Sequence, residues 1–267
     1  MTYVIHGATG AQGAPVVAAL AAAGQSVTAL TRNADVVVAG AQRVVAADYG
    51  STAELTEAYR GADGVFVHLP VVSEEDRRDY ARNIVAAVRA ARPARVVFSA
   101  GGAPIDPETG GAAAALAGGL AETGVPHAVI TPTLFLENLL MPYVLDTVRE
   151  RGALPYPIRA GFVALFDRPD ITGVVSVGQY PAITGPDLAE AFGAHFGKDV
   201  VFEQITPEQF RSSVAPLIGE GPAADVAGAY AAMSALPDRS ITPENSAQKL
   251  LGITPRTTGQ WLTDMGL

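Results

Sequence analysis

Three glycines spaced three residues apart directly follow the first apolar run of the chain. The run Tyr3–His6 predicts a strand, residues 7–13 read Gly-Ala-Thr-Gly-Ala-Gln-Gly, and residues 14–23 have helical spacing and end at Gly24. A glycine turn between a strand and a helix lets a phosphate approach the N–H groups of the helix N-terminus, since no Cβ atom blocks it. The alternative is an ordinary glycine-rich turn. The order of elements favours a dinucleotide site built from Gly7, Thr9, Gly10, Ala11, Gln12 and Gly13.

Short apolar segments alternate with segments of helical spacing as far as about residue 150. This rhythm is typical of βα units around a parallel sheet that is covered on both faces. The predicted strands are Tyr3–His6, Ser26–Leu30, Arg43–Ala46, Gly64–Leu69, Arg95–Ser99 and His127–Thr131. The fold class is therefore predicted as α/β, a Rossmann-type doubly wound parallel sheet.

Two helix starts inside this region carry specific signals. Ser51 and Glu54 have the capping-box spacing, in which each side chain satisfies a backbone N–H group near the other residue. Ser73 precedes three acidic residues, which suit the positive end of a helix dipole, and Pro93 ends that helix. A third helix is predicted from Thr109 to Thr123.

The rhythm changes after residue 152, where Leu154-Pro155-Tyr156-Pro157 suits neither a regular helix nor a central strand. We therefore predict a dinucleotide-binding domain over residues 1–152 and a small, mainly helical C-terminal substrate region over residues 153–267. Three N-cap signals with a nearby proline support the helices: Thr184-Gly185-Pro186, Thr206-Pro207-Glu208 and Thr242-Pro243-Glu244. The strand candidates Val174–Val177 and Val200–Glu203 either extend the sheet or form a separate one.

Composition excludes several function classes. A net charge of −9 opposes binding to nucleic acid, and no apolar run is long enough to span a bilayer. The chain has no cysteine, and its four histidines lack metal-ligand spacing, so no metal site is expected. The N-terminal residues carry no leader pattern, which predicts a cytoplasmic protein. A small-molecule substrate is the expected partner, and a homodimer stays open.

The end of the second strand indicates the coenzyme. The adenosine ribose of a bound dinucleotide lies there, about 20 residues past the glycine motif, and an acidic residue would suit a free 2′-hydroxyl. The chain instead has Thr31-Arg32-Asn33, and a guanidinium matches a 2′-phosphate in charge and geometry. Arg32 therefore favours NADP(H) over NAD(H), although it could be a solvated strand-end arginine, and Asp35 nearby weakens the distinction.

Several segments together resemble the NmrA-like proteins, an atypical branch of the short-chain dehydrogenase/reductase superfamily. The resemblance covers nearly the whole chain. It is carried by the glycine motif and by Thr31-Arg32, Val45-Ala46-Ala47-Asp48, Thr131-Pro132-Thr133-Leu134-Phe135-Leu136-Glu137-Asn138, Gly185-Pro186-Asp187-Leu188-Ala189 and Leu251-Gly252-Ile253-Thr254-Pro255.

The resemblance implies positions for further coenzyme contacts. Asp48 would bond the adenine edge, His68-Leu69-Pro70 would lie beside the coenzyme, and Ser99 would lie near the nicotinamide. Alternatives stay open, because Asp48 could cap the turn before Ser51 and His68 could be a satisfied core histidine.

The chain lacks the Tyr-x-x-x-Lys pair with which ordinary members of this superfamily reduce carbonyls, a pair in which the lysine lowers the pKa of the tyrosine. A proton must then come from water, from the substrate, or from a side chain; the candidates for a catalytic role are Ser99, His68, Asn138 and Tyr143, with Tyr156 as a further proton source. We predict an NADPH-dependent oxidoreductase that transfers hydride to a quinone, an enone or another small apolar carbonyl compound. The alternatives are a dinucleotide-sensing regulator without turnover and a non-redox isomerase or cyclase.

Overall fold

The computed structural model describes residues 1–132 except 102 and 104, and residues 136–157, 173–177, 183–235 and 246–267 except 253. Its first half alternates strands and helices as the sequence predicts. The elements are β1 (Thr2–His6), α1 (Gly13–Ala22), β2 (Ser26–Thr31), β3 (Arg43–Ala46), α2 (Thr52–Tyr59), β4 (Gly64–His68), α3 (Glu74–Ala91), β5 (Val96–Ser99), α4 (Ala112–Thr123) and β6 (His127–Pro132).

The second half of the chain is mainly helical. Its elements are α5 (Pro142–Arg151), β7 (Ala153–Tyr156), β8 (Gly173–Val177), α6 (Gly185–Phe196), β9 (Val201–Gln204), α7 (Pro207–Ile218), α8 (Glu220–Ala235), α9 (Ala247–Leu251) and α10 (Thr258–Asp264). None of the helices in the described part of the chain has both the length and the hydropathy to cross a membrane.

The central sheet has the strand order β3-β2-β1-β4-β5-β6-β8. From β3 to β6 every neighbouring pair is parallel. This is the strand order of a Rossmann fold, with the chain reversing direction across the sheet at β1. The predicted α/β fold is therefore confirmed, and the strand candidate near residue 174 extends the sheet.

Alternate strand residues enter two apolar cores on opposite faces of the sheet. Val4 joins a core that includes residues of α2, α3 and α4, whereas Ile5 joins a core that includes Val17 of α1. Successive strand residues point to opposite faces, so helices cover both sides of β1. The candidate site lies at the end of the sheet that is formed by the carboxyl ends of β1, β4 and β5.

The chain divides into two compact units. The first contains residues 1–131 and the beginning of β8, and the second contains the remaining described residues. The predicted change at residue 152 falls later than this division, because Val144, Leu145 and Val148 of α5 are buried in the core of the second unit.

One helix cap corrects its prediction in detail, and the proline-rich segment forms an edge strand, which its prediction allows. Ser51 accepts a hydrogen bond from Glu54 N, but the Glu54 carboxylate accepts from Asp48 N rather than from Ser51 N, so the predicted box is only half formed. Residues 153–156 are a strand, which pairs with β9 in a two-stranded parallel sheet. Pro155 is tolerated because no strand among the described residues needs its missing N–H on the outer edge. The predicted helix start at Thr242 lies outside the described residues.

Candidate functional site

The glycine loop packs backbone against backbone at the end of β1. Gly7 has a positive φ of 55°, and its carbonyl accepts a hydrogen bond from Gly10 N at 2.8 Å. A Cβ atom on Gly13 would lie 2.3 Å from that same carbonyl oxygen. Only glycine fits at both positions, so the loop is as tight as the sequence predicts.

Helix α1 begins at this loop with its N-terminus free of side-chain capping. Gln12 occupies the N-cap position without a capping hydrogen bond, and the first turn contains no acidic residue. The N–H groups of this turn and the positive end of the helix dipole are therefore directed at the loop. Thr9, Gly10 and Ala11 are exposed there. Such an end suits the pyrophosphate of a dinucleotide.

The His68 side chain lies directly over Gly7. A Cβ atom on Gly7 would lie 2.0 Å from His68 Nε2, so the imidazole occupies the space that any side chain at position 7 would need. Burial lowers the pKa of His68, which keeps the ring neutral at pH 7. His68 Nδ1 lies 3.3 Å from the Leu69 carbonyl and must carry the proton, since a carbonyl only accepts. His68 Nε2 is therefore an acceptor.

Four buried polar atoms without a hydrogen-bond partner among the described residues belong to side chains near the loop. They are His6 Nδ1, His68 Nε2, Ser99 Oγ and Gln12 Oε1. His68 and Ser99 are register partners on the neighbouring strands β4 and β5, and Gln12 Nε2 lies 3.6 Å from the Cβ position of Gly101, just after β5. Buried polar atoms rarely stay unpaired, which favours a ligand that supplies their partners.

Leu69 and Pro70 follow His68 where the resemblance implies coenzyme contacts. Leu69 is buried in the core on the α2 side of the sheet, whereas Pro70 is half-buried. Pro70 is thus the better placed of the two to contact a ligand.

His6, the last residue of β1, had no role in the sequence prediction. It is fully buried, and its Nε2 lies 2.7 Å from the Tyr59 hydroxyl of α2. Burial, and to a smaller extent the nearby His68, lower the pKa of His6 to about 3. His6 therefore anchors the base of the glycine loop as a neutral side chain. The only signal in the sequence is its position next to Gly7.

The candidate adenosine residues lie at the ends of β2 and β3. Arg32 is exposed directly after β2, and the bond from Ala47 N to Thr31 O at 3.1 Å joins the two strand ends. Asp48 Oδ1 accepts from Gly50 N at 2.8 Å, so Asp48 does stabilise the turn before Ser51. That bond does not use Asp48 Oδ2.

The second unit holds the other two predicted residues, Asn138 and Tyr143, in an aromatic cluster. The Tyr156 and Tyr230 hydroxyls are 2.8 Å apart, and Asn138 hydrogen-bonds to both phenols. The Tyr143 hydroxyl is buried and has no partner among the described residues. Burial raises the pKa of Tyr143, so its phenol stays protonated. Of the four candidates for catalysis, two lie in the first unit and two in the second.

The helix that would carry the Tyr-x-x-x-Lys pair is α4. It consists of Ala, Leu, Gly, Glu and Thr residues only. Among the described residues, no three His, Asp or Glu side chains lie together so that they could hold a metal ion. The first unit thus offers a dinucleotide cradle without a tyrosine–lysine proton donor.

Comparison with known proteins agrees with this geometry. Residues 7–138 match the NAD(P)H-binding family. No curated protein matches the chain. Among solved structures, a nucleoside-diphosphate-sugar epimerase from Staphylococcus aureus is 19% identical with a TM-score of 0.74, covering 98% of this chain and 99% of its own.

Two further solved structures are similar over most of their length. An NADPH-dependent quinone oxidoreductase from Escherichia coli, complexed with NADPH, is 20% identical with a TM-score of 0.71 over 100% of both chains. NmrA, a negative transcriptional regulator, is 15% identical with a TM-score of 0.62, covering 89% of this chain and 92% of its own. At such identities these likenesses show the fold, and the functions of the three proteins differ.

Proposed function

Since residues 7–138 match the NAD(P)H-binding family, we propose that the protein is an NADP(H)-binding oxidoreductase that passes hydride to a quinone, an enone or another small apolar carbonyl compound. The observation that carries the proposal is the uncapped start of α1 behind a loop that accepts only glycine at positions 7 and 13. The coenzyme, when bound, supplies the hydride. The protein binds it, orients it and keeps its own nearby groups neutral.

Each described group near the loop has a part in this proposal. The N–H groups of residues 11–13 bind the pyrophosphate, while the Gly10 N–H stays bonded to the Gly7 carbonyl, and Arg32 binds the 2′-phosphate. Asp48 accepts from the adenine edge. His68 Nε2, an acceptor, receives a hydrogen bond from a hydroxyl or amide of the coenzyme rather than from a phosphate oxygen, and the Ser99 hydroxyl lies on the neighbouring strand.

The absence of the Tyr-x-x-x-Lys pair favours a quinone or enone as acceptor. The electron-poor system of such a compound takes up hydride with less help from a proton donor than a simple ketone needs. Burial lowers the pKa of His68, so this side chain is neutral at pH 7 and does not replace the missing proton donor. Proximity of a bound nicotinamide to the acceptor can supply much of the rate without an acid. The NADPH-dependent quinone oxidoreductase of E. coli, which shares the fold, supports the same acceptor class.

Coenzyme titration of purified protein tests the proposal, with Arg32→Ala as the critical variant. Loss of a charge-assisted contact weakens NADPH binding by about ten- to 150-fold and leaves NADH binding unchanged. Arg60→Ala, which removes another exposed arginine of the first unit, is the matched control and keeps parent affinity for both. Equal NADPH affinity of Arg32→Ala and parent would remove the NADP assignment.

Turnover separates the proposed enzyme from its two alternatives. The loss of NADPH absorbance across a panel of quinones and enones is the expected result. A regulator, the class to which NmrA belongs, binds NADPH without consuming it, and the missing proton donor favours this second candidate. A non-redox isomerase or cyclase converts its substrate whether the coenzyme is absent or fully oxidised.

A further inference from the structure

Helix α3 holds the loop between β3 and α2 through the side chain of Asn83. Asn83 Nδ2 donates to the Tyr49 carbonyl at 3.0 Å, and Thr52 Oγ1 donates to Asn83 Oδ1 at 2.9 Å. Both ends of the amide are used, which fixes its orientation. One side chain of α3 thus ties together the middle of the loop and the first residue of α2.

The Tyr49 ring is held on two sides as well. The Tyr80 ring, one turn before Asn83 on α3, lies 5.4 Å from it, and the His6 ring meets it edge-on at 4.9 Å. His6 directly precedes Gly7. The loop at Asp48 and Tyr49 is therefore clamped between α3 and the strand that carries the glycine motif.

The same loop lies beside the residue assigned to the 2′-phosphate. The bond from Ala47 N to Thr31 O places the start of the loop next to the end of β2, where Arg32 follows. Burial raises the pKa of Tyr49 and the Arg32 guanidinium opposes that rise, as expected if the two side chains are close. The loop and Arg32 thus form one surface at the ends of β2 and β3.

We propose that Asn83 is a positioning residue for the adenosine half of the coenzyme. It touches no ligand and acts by holding Asp48 and Tyr49 in the conformation that binds adenosine beside Arg32. The inference rests on the proposed function, because it needs NADP(H) at this surface. Without the Asn83 bonds the loop samples more conformations, and the ligand must select the competent one.

Binding of the two halves of NADPH separates this role from a purely structural one. Adenosine 2′,5′-bisphosphate represents the half that contacts the loop, and reduced nicotinamide mononucleotide represents the other half. Asn83→Ala is expected to weaken the bisphosphate by about three- to tenfold and to leave the mononucleotide unchanged, both measured by calorimetric titration. Asn83→Asp keeps the acceptor for Thr52 but loses the donor to Tyr49, and is expected to bind the bisphosphate no better than Asn83→Ala.

Val85→Ala is the matched control on the same helix. Val85 faces α4, where it meets Gly119, and it is not a partner in the hydrogen bonds by which Asn83 holds the loop. This variant lowers Tm while the affinity ratio of the two half-ligands stays at the parent value. Asn83→Ala shifts the ratio even at temperatures where both variants are fully folded.

Three results would overturn the inference. Parent affinity of Asn83→Ala for the bisphosphate would show that the loop needs no support from α3. Equal weakening of both half-ligands would assign Asn83 to general stability. A parent protein that binds neither the bisphosphate nor NADPH would remove the proposed function together with this inference, whereas the first two results leave the proposed function intact.

Discussion

Gly7 is the residue on which the geometry of the site depends most closely. Its φ of 55° and the imidazole of His68 both exclude a side chain. Gly24 offers a comparison, because its φ of 70° is similar but no atom lies within 4 Å of its Cβ position.

Gly24→Ala is therefore expected to lower the free energy of unfolding by about 1 kcal/mol through backbone strain alone. Gly7→Ala adds a clash with His68, so its loss exceeds that of Gly24→Ala by about 1–3 kcal/mol, as urea unfolding can measure. In the double variant Gly7→Ala/His68→Ala the clash is gone, and the loss is smaller than the sum of the single losses. Additive losses would contradict the contact.

His6 predicts a dependence of stability on pH. Its pKa is about 3 in the folded chain and about 6.5 when unfolded, so the unfolded chain binds more protons between these values. The contribution of His6 to the free energy of unfolding is therefore fully present above about pH 6.5. It is lost by up to about 1.4 kcal/mol per pH unit as the pH drops toward 3. Burial lowers the pKa of His68 too, which adds a change of the same sign.

The contribution of His6 is measured against His6→Gln, which cannot titrate. We expect the free energy of unfolding of this variant to decrease less between pH 7 and pH 5 than that of the parent, in urea titrations at each pH. Identical pH slopes would mean that the folded chain accommodates a protonated His6.

For single residues, the sequence predicts conformations that are set by local sterics, but it does not predict contacts between residues far apart in the chain. Gly7, Gly10 and Gly13 were recognisable because few other residues allow the turn. The bond between His6 and Tyr59 joins residues 53 positions apart and has no local signature. The candidate coenzyme residues follow the carboxyl ends of their strands, and their contacts with a coenzyme stay predictions.

Two adjacent glycines show how α4 meets its neighbour. Gly118 is exposed with open space around its Cβ position, whereas a Cβ on Gly119 would lie 2.6 Å from Val85 Cγ2 of α3. Gly118→Ala is expected to stabilise the protein by up to about 1 kcal/mol through helix propensity. Gly119→Ala is expected to destabilise it, since the β-branched Val85 cannot rotate away freely.

Thermal unfolding of the two variants shows whether Tm rises for Gly118→Ala and falls for Gly119→Ala. The substitutions are chemically identical and one residue apart, so each is the control for the other. A stabilising Gly119→Ala would mean that α3 and α4 separate easily.

Strands and helix starts were predictable because they depend on short-range patterns. Apolar runs located β1 to β6 within a residue or two at each end, and Ser73 caps α3 through Asp76 N as expected. The partner of the Glu54 carboxylate was missed, because Asp48 N competes with the N-cap for it. The pairing of β7 with β9 was not predicted, because the apolar pattern indicates single strands and not which strands pair. Such pairing depends on the packing of the rest of the unit.

Coenzyme binding is expected to raise the free energy of unfolding of the whole molecule. A ligand that binds only the folded state at about 100 times its Kd adds about 2.7 kcal/mol to the free energy of unfolding. Differential scanning calorimetry should therefore show a higher Tm with NADPH than with the same concentration of NADH. Equal shifts with both coenzymes would contradict selection by Arg32.

The predicted resemblance to the NmrA-like proteins is confirmed at the level of the domain family and the fold. The substrate could not be predicted, because apolar side chains fit many molecules and a fold does not fix the function that it carries. The predicted boundary at residue 152 stays a prediction, since α5 carries the same apolar spacing whichever core it joins.

The seventh strand of the sheet has a consequence for synthesis. Since β8 follows β6 only after the chain has passed through α5 and β7, a nascent chain leaving the ribosome exposes the edge of β6 until residue 177 has emerged. An open edge invites pairing with other chains. A gene truncated after residue 132 would yield a product with this edge permanently bare, and we expect that product to aggregate in expression trials where the full-length chain does not.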